Sequence, residues 1–387
     1  MREVWLDFLR VSACFLVMLV HSTEPFYLGG EGALVLTATD AYWVALFEGL
    51  ARCCVPVFLI ASSYLQFPLH YPVGEFLRRR ALRIVVPMIV WTLVYALVWG
   101  EPVANLKGLL LNFNYAAGHL WFVYMLLGIY LIMPLLSPWA SKVSRRELEV
   151  YMGIWLVTTL FPFIREAAGG EAPLIQAADG LPAPALFPLW GEASWNAYGT
   201  FYYLSGFIGY LLVGFYIRKF LINNRWTGVF GWALFLMGFV AIFSGMLGRM
   251  SASADSFPIA GSLGMAVGWE APISFCGLPV ALSSIGLVLA FRRMACHSER
   301  SEESVFYRAV VLPLSKAGYG MYLTHMLVLS YMSAFFRGWL GIGAEGLLGV
   351  WTTPVEILLT GVCSFVVVGL ACCLLQRIPR VGKYLMG

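Results

Sequence analysis

Ten stretches of this chain are long and apolar enough to cross a bilayer, and no water-soluble fold accommodates so many. A spanning helix needs about 20 mostly apolar residues. The stretches cover roughly residues 4–22, 41–66, 81–99, 119–137, 149–164, 198–217, 226–247, 271–291, 314–335 and 353–375. Of the 387 residues, 60% are hydrophobic and only 12% are charged. Soluble domains carry about 25% charged residues. A soluble fold of this composition would have to bury nearly its whole surface, whereas lipid serves as an apolar solvent. The 14 Trp and 19 Tyr suit the two membrane–water interfaces.

The distribution of Lys and Arg tests this count. With the N-terminus inside and ten alternating spans, nineteen of the 25 fall on the inner side, from Arg2 and the Arg78–Arg83 run to Lys383. Four (Lys107, Arg165, Arg249 and Arg337) fall outside, and Arg10 and Arg52 lie within helices. A missed or invented helix would scramble the bias beyond that point. The expected fold is therefore an all-α membrane protein of about ten transmembrane helices with cytoplasmic N- and C-termini. Asp7 and Arg10 interrupt the first apolar stretch and no small-residue cleavage site follows it, so it reads as a retained helix. Residues 1–387 form one polytopic domain, with an extracytoplasmic loop at 165–197 and a charged cytoplasmic loop at 294–313. No internal repeat stands out. The eight cysteines lack CxxC or zinc spacing and read as reduced packing residues.

Ionisable residues at membrane depth are costly and are usually paired or functional. Arg10 and His21 stand eleven apart, which brings them within about 20° of one another on the first helix and about 16 Å apart along it. Asp7 shares their turn with Arg10. The face carries a cation near the inner third and an imidazole near the outer end, as the lining of a passage would. The structural alternative is that Arg10 snorkels to the headgroups and His21 is interfacial. His119 opens the fourth span beside Trp121, and Tyr322 and His325 lie one turn apart in the ninth. Three histidines on three helices suggest a polar cavity. Glu48 and Arg52 read as a structural ion pair. Arg78, Arg79, Arg80 and Arg83 serve either as a topology anchor or as a site for a polyphosphorylated anion.

These residues have a family look. Leu6-Asp7-Phe8-Leu9-Arg10 followed by ten residues and His21 resembles the Arg-x10-His signature of the acyltransferase-3 family. His119-Leu-Trp-Phe through Pro134, Arg79-Arg80-Ala-Leu-Arg83 and Ser315 to His325 resemble further motifs of that family, in order and spacing. Phe58 to Tyr64 is similar to its Ile-Ser-Gly-Phe helix, with Ser63 where glycine is usual. The resemblance spans nearly the whole chain and is nearest to the branch that O-acetylates bacterial surface polysaccharides. It implies an O-acetyltransferase of the bacterial inner membrane that moves acetyl from cytoplasmic acetyl-CoA to a hydroxyl of a surface or lipid-linked glycan. His21 would then act as general base or transient acyl carrier, and Arg10 would hold the donor or steady developing negative charge. Arg78, Arg79, Arg80, Arg83 and Lys316 are the donor-side candidates. Glu24, His119, Trp121, Tyr322 and His325 are the acceptor-side candidates. The expected partners are the glycan and the bilayer, with no metal and no nucleic acid. A transporter or flippase for a lipid-linked glycan would also want a lined polar passage, and a membrane scaffold is a third reading.

Overall fold

The computed structural model describes residues 3–29, 32–167, 191, 196, 198–253, 255–295, 304–379 and 382–387. Most of the 165–197 loop and the middle of the 294–313 loop lie outside these, as do Arg2, Cys296, Arg300 and Arg380.

The longer helices are α1 (Val4–Thr23), α2 (Ala38–Ala51), α3 (Cys54–Gln66), α4 (Val73–Arg80), α5 (Val86–Val98), α6 (Trp121–Lys142), α7 (Arg145–Thr158), α8 (Ile208–Lys219), α9 (Arg225–Ala252), α10 (Leu278–Ala295), α11 (Leu312–Leu340) and α12 (Thr352–Leu375). Together with the turns that extend them, they give eight described segments long and apolar enough to cross a membrane. Two of the ten expected stretches fall short of that test. Residues 198–217 hold only the 12-residue α8, preceded by a 3-10 turn (Gly199–Leu204) and by Gly206 at φ +72°. Residues 314–335 belong to the 29-residue α11, whose apolarity is diluted by Ser315, Lys316, Tyr319, His325 and Arg337. The chain is an all-α membrane protein, with one small addition. Strands β1 (Leu28–Gly29), β2 (Gly32–Val35) and β3 (Ile259–Ser262) form an antiparallel sheet, pairing Gly32 with Ser262 and Val35 with Ile259.

The polarity of the bundle runs opposite to that of a soluble protein. Leu131, Leu135, Leu236, Val240, Val366 and Leu370 point outward, while Asp7, Glu48, His325 and Glu356 are buried. Lipid accepts the first group, and only packed protein satisfies the second. Helix α1 is the centre of the bundle and packs against α2, α3, α10, α11 and α12. At its amino end, buried Asp7 accepts hydrogen bonds from Tyr307 (2.7 Å) and Ser315 (2.5 Å), fixing α1 to the start of α11.

Three local irregularities place the site. The second span breaks at Arg52-Cys53, between α2 and α3, and Pro56 follows in the first turn of α3. Ala81–Val85 is a π turn six residues ahead of the position of Pro87, and Tyr307–Val311 is another with the same offset to Pro313. A helical proline lacks an N–H and crowds the carbonyl four residues back, and the wider π turn relieves that crowding. Helices α9 and α10 meet through glycine. A Cβ on Gly238 would lie 2.4 Å from the Pro279 carbonyl oxygen, and one on Gly286 would lie 2.4 Å from the Phe235 nitrogen. Ser63 is accommodated in the same way, because Gly214 of α8 leaves room for it and its hydroxyl donates to the Leu211 carbonyl at 2.5 Å.

Candidate active site

One stripe of α1 (Arg10, Cys14, Val17, His21) runs past two cavities stacked along the bundle. The first, about 220 Å³, lies toward the arginine-rich end. Its polar lining is Arg10, Ser62, Gln66, Arg80, Tyr130, Ser315, Lys316 and Tyr319. Gln66 Nε2 donates to Ser62 Oγ at 3.0 Å, and Ser62 Oγ lies 3.2 Å from the Tyr130 hydroxyl. Arg80 stands over the rings of Phe76 (5.2 Å) and Tyr130 (4.9 Å). Its Nε and Gln66 Oε1 are buried without a hydrogen-bond partner. Such groups are expensive to leave unsatisfied, and both belong to residues that line this cavity.

The four arginines of the Arg78–Arg83 run part company in space. Arg80 lines the cavity, whereas Arg78, Arg79 and Arg83 are exposed and do not line it. Arg79 pairs with Glu75 and stands over the Tyr71 ring at 4.9 Å. Lys316 is exposed at the cavity's edge, and its carbonyl accepts a hydrogen bond from Gln376.

The second cavity, about 90 Å³, lies at the other end of the stripe and is lined by His21, Glu24, Arg52, His119, Trp121 and Tyr322 among others. His21 Nδ1 is 2.8 Å from Glu24 Oε1. With the carboxylate accepting at Nδ1, the ring keeps its lone pair on Nε2, the form of imidazole that accepts a proton. His325 stands at the centre of the histidines, its ring centroid 5.2 Å from that of His21 and 5.3 Å from that of His119. His325 is fully buried. Its Nδ1 donates to the Tyr322 carbonyl at 2.5 Å, leaving Nε2 buried without a partner, as is Nε2 of His119. The Tyr322 hydroxyl donates to the His119 carbonyl. Trp121 stacks near Phe275 (5.4 Å) and Phe207 (6.0 Å) and forms a wall.

All twelve candidate residues are described, and most of them gather at the two chambers. His21, Glu24, His119, Trp121 and Tyr322 line the second, and His325 adjoins it through its ring contacts with His21 and His119. Arg10, Arg80 and Lys316 line the first, while Arg78, Arg79 and Arg83 are exposed and line neither. Val17, Val55, Phe122 and Tyr322 line both cavities and form the partition between them.

Sequence reasoning gave Arg52 a smaller part than it has. It does pair with Glu48 (3.5 Å), and Glu48 also accepts a hydrogen bond from Thr23 at 2.6 Å. Arg52 further donates to the Ile273 carbonyl (3.0 Å), stands 4.5 Å over the Phe275 ring and lines the His21 chamber. The break between α2 and α3 turns it inward, and Pro56 is the signal that could have announced that break. Ser62 and Gln66, four apart in an otherwise apolar helix, are a second legible signal that was not used.

The polytopic helical bundle thus holds two polar cavities at membrane depth, one lined by His21 and His119 with Arg52 and the other by Arg10 and Arg80, with four side chains between them. Comparison with known proteins gives the family. A family model described as an acyltransferase domain matches residues 3–375, and the chain belongs to the acyltransferase-3 family of integral membrane acyltransferases. No curated protein and no solved structure is significantly similar to it.

Proposed function

We propose that this membrane acyltransferase is an O-acetyltransferase of the bacterial inner membrane, passing acetyl from cytoplasmic acetyl-CoA to a hydroxyl of a surface or lipid-linked glycan. The observation that carries this reading is the pairing of a guanidinium-lined cavity with an imidazole-lined one across a single thin partition. The residues suit acetyl-CoA in a particular way. About 220 Å³ is smaller than the ~300–1,000 Å³ of cavities that enclose whole ligands, so it suits the slender pantetheine arm. The nucleotide and its phosphates would remain at the mouth, beside Lys316, with the exposed Arg78 and Arg83 as further partners, while Arg10 and Arg80 hold the arm.

On the far side, His21 is held by Glu24 with its Nε2 lone pair free. A glycan hydroxyl is a poor nucleophile while protonated, so His21 takes its proton as the oxygen attacks the thioester carbonyl. The C–O bond forms, the C–S bond breaks, and CoA leaves as a thiolate that is reprotonated as His21 returns to its neutral form. Arg52 is near enough to His21 to offset the negative charge that develops on the carbonyl oxygen. Trp121 offers an aromatic wall of the kind sugars lie against.

The test uses purified protein in detergent, radiolabelled acetyl-CoA and lipid-linked glycans extracted from bacterial membranes. CoA release that requires the glycan, with label recovered in the glycan, is expected. Glycan movement across proteoliposomes without CoA release would establish the flippase alternative instead.

A further inference from the structure

Beside the partition lies a third and much smaller cavity. Its lining is Cys14, Val17, Met18, Phe58, Tyr322 and His325, and its volume is about 10 Å³. It shares Val17, Phe58 and Tyr322 with the arginine-lined chamber, and its far wall is His325, whose ring faces His21. The nook therefore adjoins the arginine-lined chamber across Val17, Phe58 and Tyr322, with His325 on its wall and His21 one ring beyond.

We propose that this nook seats the methyl group of the transferred acyl chain and limits the donor to acetyl. The inference rests on the donor reading above and deepens it. About 10 Å³ of free volume is room for one water-sized group. A methyl group, the smallest alkyl substituent, enters it with small shifts of the lining side chains, and every further methylene would have to displace a wall. The walls are poorly placed to yield. Met18 and Cys14 are 1% and 4% exposed and belong to a packed cluster with Ala317, Met321, Leu329, Val368 and Cys372. Behind Cys14, a Cβ on Gly318 would already touch the sulfur at 3.4 Å. Close-packed interiors resist enlargement, so longer chains are excluded by overpacking. The lining is also apolar on three sides, which suits a methyl better than the water that a cavity of this size could otherwise hold.

Met18→Ala and Cys14→Ala enlarge the nook from two positions and test the idea independently. The first readout is binding of CoA analogues in which a methylene replaces the thioester sulfur, so that no transfer occurs. Wild-type protein is expected to bind the acetyl analogue at least about tenfold more tightly than the butyryl analogue, and Met18→Ala to bring the two within about threefold. Cys14→Ala should shift the ratio the same way by less. The second readout is kcat/KM for acetyl-, propionyl- and butyryl-CoA, in which the same ranking should flatten. Monodisperse elution and retained acetyl-analogue binding identify properly folded variants. Equal binding of both analogues by the wild type, or an unchanged ratio in both folded variants, overturns the nook and leaves the donor reading standing. Wild-type protein that binds neither analogue overturns both.

Discussion

His21 and Arg10 occupy one helical stripe but serve different chambers, and their substitutions should fail in different ways. His21 has Glu24 at Nδ1 and other imidazoles around it, so His21→Ala removes the proton acceptor without emptying the donor cavity. Transfer should fall about 10²–10⁴-fold, the usual loss for a general base. Acetyl-CoA binding, measured by titration, should change little. Transfer at wild-type rates by the alanine variant would remove His21 from the chemistry. Arg10→Lys keeps the charge and loses the planar fork. If Arg10 only snorkelled, a flexible ammonium would serve equally. Lining a cavity with Arg80 and Lys316, it is expected to grip an oxygen in fixed geometry, and the lysine variant should lose about 10- to 100-fold, the equivalent of one hydrogen bond to a charged group. The measurement is acetyl transfer per mole of correctly inserted protein, with Arg10→Ala as the lower reference. Near-normal activity of the lysine variant would reduce Arg10 to a charge. Both residues were legible in the sequence, because an ionisable side chain in an apolar helix is conspicuous. The orphaned Nε2 of His325 and the inward turn of Arg52 were not, since both depend on which helices pack together.

Elements with long, mostly apolar stretches, such as α1, α6 and α12, were readable within a few residues. Those shaped by a proline or glycine acting through the surrounding packing were less so. The π turn at Ala81–Val85 relieves Pro87, and it follows directly on α4, in which Arg80 alone of the clustered arginines lines the cavity. Four clustered cationic positions look equivalent in sequence, and the geometry of this segment separates them. Arg80→Gln is accordingly expected to weaken CoA binding about tenfold or more, whereas Arg79→Gln should change it by no more than about twofold. Arg79 is held in an exposed pair with Glu75, and such pairs contribute little. Equal effects at the two positions would mean that the cluster acts only as a diffuse positive field. The sheet of β1, β2 and β3 escaped sequence reading for a related reason. Its strands have two to four residues, and β3 pairs with β2 from more than 200 positions away.

At the scale of the whole molecule, both described ends of the chain lie with the arginine-lined chamber. Asp7 binds Tyr307 and Ser315, and a Cβ on Gly387 would touch the Arg83 carbonyl oxygen and the Tyr319 ring. Together with the loop charges, this predicts that both termini face the cytoplasm. A C-terminal fluorescent protein that folds only in the cytoplasm should light up, and a C-terminal alkaline phosphatase should stay inactive. The reverse pattern would invert the donor and acceptor sides together. The partition of Val17, Val55, Phe122 and Tyr322 then has an electrical consequence. In an energised bilayer with water entering both chambers, most of the transmembrane voltage falls across those few side chains, and moving one elementary charge through them involves about 2.3 kcal/mol per 100 mV. On the proposed reading, the phosphates of a nucleotide donor would stay on the near side of that step. An acyl group carries no charge, so it can be handed across the insulating layer of the cell without electrical work and without opening a leak for ions.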